Sequence, residues 1–105
     1  MPYTRDGLTA GKRDIDARGQ TRVVTDQYTL TDYEAGGVDF DPVFEAGVTR
    51  TAFVDVNVVD DSAYMARFDY EQNSIRVFDL SDGSEPADSE TINLEVRVKV
   101  EGYGG

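Results

Sequence analysis

Carboxylates are the chemically capable side chains this 105-residue chain holds in number, 21 Asp and Glu against 10 Lys and Arg. The stretch DYEAGGVDFDPVFEAGV, residues 32–48, carries five of them: Asp32, Glu34, Asp39, Asp41 and Glu45. Two chemistries use such groups. A pair of carboxylates can serve as general acid and base, and clustered loop carboxylates can ligate Ca²⁺. Asp39 and Asp41 lie two apart, and Asp60 and Asp61 close an apolar run, so these four are the candidate cation ligands. The ordered Asp/Asn spacing, central Gly and terminal Glu of a helix–loop–helix calcium site are missing. Acidic residues are so abundant that no single pair stands out, and solvated acidic loops are the competing reading.

Composition removes most other chemistry. The chain has no His and no Cys, hence no Ser–His or Cys–His nucleophile pair, no disulfide framework and no thiolate metal site. No phosphate-cradling Gly-rich motif opens a helix. The reading is therefore a non-enzyme, with no cofactor beyond a structural cation. The formal charge of −11 argues against nucleic acid, whose phosphates require Lys and Arg. No apolar run reaches membrane-span length and the N-terminus has no signal-peptide core, so the expectation is no membrane, and a protein that works in the cytosol or leaves the cell inside an assembly. The charge is uneven. Residues 1–22 hold five basic side chains (Arg5, Lys12, Arg13, Arg18, Arg22) and three acidic ones, which leaves five basic and 18 acidic for the rest, a net of −13. Lys12 and Lys99 are the only lysines. Such an Asp-rich, Lys-poor balance reads as a surface kept hydrated in molar salt, or simply as an acidic protein from an ordinary host.

The elements that must position these groups read as strands. TRVVTDQYTLT (21–31) is β-branched and aromatic. TRTAFVDVNVV (49–59) places Val54, Val56 and Val58 on one face. AYMARFDY (63–70) and SIRVFDL (74–80), parted by a short polar break at Asn73, read as a hairpin. In TINLEVRVKV (91–100), Ile92, Leu94, Val96, Val98 and Val100 alternate with polar residues, as in an antiparallel sheet with one buried face. SDGSEPADSE (81–90) reads as a loop. The fold class is all-β, a small antiparallel sandwich or barrel. Its boundaries are an extended N-terminal arm over 1–19, the β-domain over 20–101 and a flexible Gly-rich tail over 102–105. Within the acidic stretch, Gly36 and Gly37 read as a tight turn, and Pro42 pushes Asp41 toward extended geometry. Phe40, Val43 and Phe44 either close one end of the domain or meet a neighbouring subunit.

Residues 22–105 resemble the head decoration, or minor capsid, proteins of tailed viruses. The resemblance rests on RVVTDQYTL, then YEAGG, TAFVDVNV, YMARFDYEQNSIRVF and a final VRVKVEGYG, in that order. The matching positions are Tyr33, Gly36, Gly37, Phe68, Asp69, Tyr70, Asn73, Ile75, Val77, Val96, Val98 and Gly102. The resemblance implies a structural protein on the outer surface of a virion. Its partners would be the major capsid protein and copies of itself, with a trimer as the familiar arrangement. With the Asp-rich surface, the implied source is a haloarchaeal virus. Candidate contacts are Arg5, Lys12, Arg13 and Arg18 of the arm, Phe40 and Phe44 of the acidic stretch, and Tyr103 of the tail. The alternative reading is a soluble, non-catalytic binding module of a halophilic host, with or without Ca²⁺ dependence.

Overall fold

The computed structural model describes residues 3–8, 14–18, 21–59 and 63–103. Eight strands and one helical turn follow in the order β1 (Tyr3–Arg5), β2 (Asp14–Arg18), β3 (Thr21–Asp32), β4 (Val38–Asp39), α1 (Pro42–Ala46), β5 (Arg50–Val58), β6 (Tyr64–Asp69), β7 (Ser74–Asp79) and β8 (Thr91–Tyr103). They form two antiparallel sheets, so the all-β reading holds, and the five strands read from the sequence are β3, β5, β6, β7 and β8.

The larger sheet has the order β1-β3-β8-β5, with β2 also on β3. β3 is long because its alternation never breaks. Val24, Asp26, Tyr28 and Leu30 point inward, opposite Val100, Val98, Val96 and Leu94 of β8. β5 adds Val54 and Val56 from the other side of β8, opposite Val100 and Val98. The smaller sheet, β4-β7-β6, contributes Val38, Phe68, Ile75 and Val77 to the same core. An aromatic relay crosses between the sheets. Tyr3, Tyr28 and Phe40 have mutual centroid distances of 5.1–5.7 Å, and Phe40 continues to Phe68 at 6.5 Å. Tilted and edge-on rings at such distances add to plain area burial.

Three sequence-based boundaries change. Residues 1–19 were expected as an arm laid along a neighbour, with folding back as an edge strand of the same domain, or disorder, as the alternative. The described parts of that segment lie along one edge of β3, Tyr3–Arg5 opposite residues 28–30 and Asp14–Arg18 opposite residues 21–25. The cause is the length of β3: an unpaired edge of 12 residues is a template that its own N-terminal segment satisfies. Tyr3 fixes the pairing by inserting its ring against Tyr28 and Phe40. Second, the tail expected from residue 102 starts later. β8 runs through Tyr103, which is held between Thr21 of β3 and Arg50 of β5. Third, residues 38–48 are not an open loop. Val38 and Asp39 pair with Ile75 and Ser74, and α1 follows at once.

The exposed outer edge of β5 is partly closed by a side chain. The Tyr70 hydroxyl accepts from the Val54 N–H at 3.0 Å and donates to the Val54 carbonyl at 3.1 Å. Tyr70 is thus half out of the molecule, at 54 % exposure, rather than a core ring.

Candidate functional site

The acidic stretch is built from its backbone outward. Gly36 and Gly37 turn the chain at φ 87° and 117°. A β-carbon on Gly37 would lie 2.5 Å from Ser74 Oγ, so that position admits hydrogen only. Asp41 takes extended geometry, φ −96° and ψ 100°, as the following proline demands. Its Oδ1 then accepts from the N–H groups of Val43 and Phe44, which makes it the N-cap of α1, with Pro42 at the first helical position. Gly47, left-handed at φ 69°, ends the turn. The Arg22 guanidinium donates to its carbonyl at 3.4 Å.

These local devices separate the two phenylalanines. Phe40 is buried at 2 % exposure among Tyr3, Tyr28 and Phe68. It is therefore a core residue, with almost no surface left for a partner to touch. Phe44, on the outward side of α1, is 71 % exposed, and Val43 beside it is 36 % exposed. Tyr103, 39 % exposed, is covered on one face by the Arg50 guanidinium, 4.9 Å from the ring centroid.

Among the arm cations, Arg5 is engaged within the chain. Its Nε donates to the carboxylate of Asp26 at 2.5 Å, and Asp26 is 2 % exposed in the core-facing row of β3. A buried carboxylate requires such a partner, so Arg5 serves the fold. Lys12 and Arg13 lie outside the described residues, as do Asp60 and Asp61. The backbone of Arg18 lies in β2, and its side chain is outside the described set.

Asp39 and Asp41 do share a groove, of about 560 Å³, with Tyr3, Glu34, Phe40, Gln72 and Asn73. Its lining draws on β1 (Tyr3), β4 (Asp39) and the β6–β7 turn (Gln72, Asn73). Among the described residues no three acidic side chains converge as a metal ligand set. Asp41 is already turned toward the helix amides. The Tyr3 hydroxyl donates to Glu45 Oε1 at 2.7 Å, and burial, reinforced by that bond, holds the phenol far above its usual value.

The most organised polar cluster is one that sequence reading missed. Glu85, from the 81–90 loop, receives both Nε and one terminal nitrogen of Arg76, at 3.2 and 2.9 Å, and also the Tyr33 hydroxyl. Arg76 reaches Asp69 as well, at 3.7 Å. The loop is further tied by Asp88 accepting from the Ala35 N–H, and by Tyr33 exchanging backbone bonds with Ser89 and Glu90. Burial and the bond to Glu85 push the Tyr33 phenol up to about 12. Arg76, followed by the Tyr33 hydroxyl, holds the Glu85 carboxyl below its ordinary value. The bonds of Glu85 to Arg76 and Tyr33 clamp the 81–90 loop onto β7 and the end of β3.

The clamp has a pH signature. A carboxyl whose folded-state pKa is depressed contributes stability above its unfolded value, near 4.3, and that contribution disappears as pH falls through the depressed value. Glu85→Gln is expected to lower stability by about 1–2 kcal/mol at pH 7. It is also expected to flatten the acid limb of the Tm-versus-pH curve below about pH 4.5. Thermal melts of both proteins from pH 7 to pH 3 check this.

In comparison with known proteins, no family model, no curated sequence and no solved structure matches this chain.

Proposed function

We propose that this protein is a structural, non-catalytic binding module that decorates the outside of a tailed-virus capsid in a salty host. What supports a binding role is the division of labour among its side chains. The engaged polar groups that sequence or geometry singles out hold the fold: Asp41 caps α1, Glu85 clamps a loop and Arg5 neutralises Asp26. The carrying observation is Phe44. It is 71 % exposed on a turn capped at both ends, by Asp41 and by Gly47. A large apolar ring held outward on a rigid support has little conformational entropy left to lose when a partner covers it. The motif string from Tyr33 to Gly102 supports the capsid as the surface, and the net −11 charge supports a setting where salt screens repulsion between neighbouring copies.

Phe44 with Val43, and Tyr103, are therefore the contacts to test first, beside Lys12, Arg13 and Arg18 of the N-terminal segment. Phe44→Ser is expected to leave Tm within a degree or two, since the ring is outside the core. It should weaken re-decoration of stripped capsids by about 2 kcal/mol, roughly 30-fold in Kd. A binding titration on capsids lacking the protein reads this directly. Unchanged affinity would remove Phe44 from the contact.

A further inference from the structure

The outer face of the smaller sheet carries an unusual pair of side chains for so acidic a molecule. Met65 stands opposite Phe78, and Arg67 opposite Arg76. Both guanidiniums lie against the Phe78 ring, at 5.2 Å for Arg67 and 5.5 Å for Arg76. Arg76 is neutralised by Glu85 and Asp69. Arg67 is exposed and forms no close ion pair among the described residues; its charge acts on Glu85 only from a distance, as the last and smallest influence holding that carboxyl low. Stacking on Phe78 uses the face of its guanidinium and leaves the edge donors available for a bidentate carboxylate.

A second exposed charge, the carboxylate of Glu71, stands in the same groove with no hydrogen bond from a described residue. Glu71, exposed in the β6–β7 turn, offers only its backbone N–H, to Asp69. Arg67, Asp69, Tyr70, Glu71 and Arg76 line a groove of about 460 Å³. Tyr70, at 54 % exposure, is part of that lining, and Met65, at 47 %, lies two residues before Arg67 on β6. Arg, Tyr and Met are the residue types that protein interfaces favour.

We propose that this face is a two-fold contact between two copies of the chain, in which Arg67 of each copy takes Glu71 of the other. An isologous contact requires one patch to carry both halves of every pair. That is the feature that selects a second copy as the occupant. An acidic partner would satisfy Arg67 and be repelled by Glu71, and a basic partner would do the reverse. Here the available cation and the available anion share one groove. The inference stands apart from the capsid reading and can hold or fail without it.

Sedimentation equilibrium of the full chain tests it, in about 1 M KCl, where screening over about 3 Å suppresses the repulsion between net charges. The wild type should dimerise. Arg67→Glu and Glu71→Arg should each weaken association about tenfold or more, because each sets like charges in contact. The double exchange Arg67→Glu with Glu71→Arg should return it to within about threefold of wild type, the coupling a direct pair requires. Circular dichroism of each variant confirms that the fold is retained. A wild type that stays monomeric to millimolar concentration overturns the proposal. So do single exchanges without effect, and so does a double exchange as weak as either single one.

Discussion

Val96→Asp is expected to leave the chain unfolded at 25 °C at neutral pH, with loss of the β-sheet circular dichroism signal. Val96 has no accessible surface and sits at the centre of β8, opposite Tyr28 of β3 and Val58 of β5. A carboxylate there would be enclosed by valines and an aromatic ring. The one buried carboxylate among the described residues, Asp26, lies on β3 within reach of Arg5 from the neighbouring β1. The residues opposite Val96 on the two neighbouring strands, Tyr28 and Val58, provide no cation. An uncompensated buried charge costs about 4 kcal/mol or more, against a total stability of about 5–15 kcal/mol for a domain. Glu95→Asp, one position away on the wet face, is the control and should melt within a degree or two of wild type.

The second large effect is expected at Gly102. A free Gly-rich tail would accept any residue there. In the structure Gly102 lies inside β8, between Arg22 and Thr51. An added β-carbon would stand 2.6 Å from the Arg50 carbonyl oxygen and 2.8 Å from Val48 Cγ2. The first of these is backbone, so it cannot move aside without disturbing the β5–β8 ladder where its register already shifts, between Thr51 and Phe53. Gly102→Ala should therefore destabilise by about 2–3 kcal/mol, which denaturant titration resolves easily. A neutral outcome would mean that β8 ends near Val100, as its apolar alternation alone suggests.

Those two positions mark how far the sequence could be read. Val96 belongs to an alternation so regular that its burial follows from the residue string, and the same holds for Val54 and Val56 in β5. Asn73 announced the hairpin, and it does adopt the positive φ, 48°, that such a turn uses. β1 and β2 were not legible, because residues 3–5 and 14–18 have almost no apolar pattern of their own. They are strands because β3 offers an edge and Tyr3 finds Phe40. β4 is two residues long, below any periodic signal.

α1 did leave signals. Asp41 before Pro42, and Gly47 five residues further on, are an N-cap, a first-turn proline and a C-terminal glycine in the right order. The absence of a long helical period hid them. Phe40 and Phe44 could not be told apart by composition, since each is an aromatic residue in the same acidic stretch. Their different fates follow from where Asp41 starts the turn. Glu85 was invisible for a plainer reason: among 21 acidic residues nothing in the sequence marks the one that meets Arg76 and Tyr33.

The central functional claim is tested most directly by asking where the protein is. Virus particles purified in molar salt can be analysed by quantitative mass spectrometry before and after brief protease treatment of intact heads. The expected result is that the chain is present in a fixed ratio to the major capsid protein and is removed by protease while the genome stays enclosed. A chain found only in the soluble fraction of producing cells, and absent from the particles, would contradict the capsid assignment and leave a soluble binding module in its place.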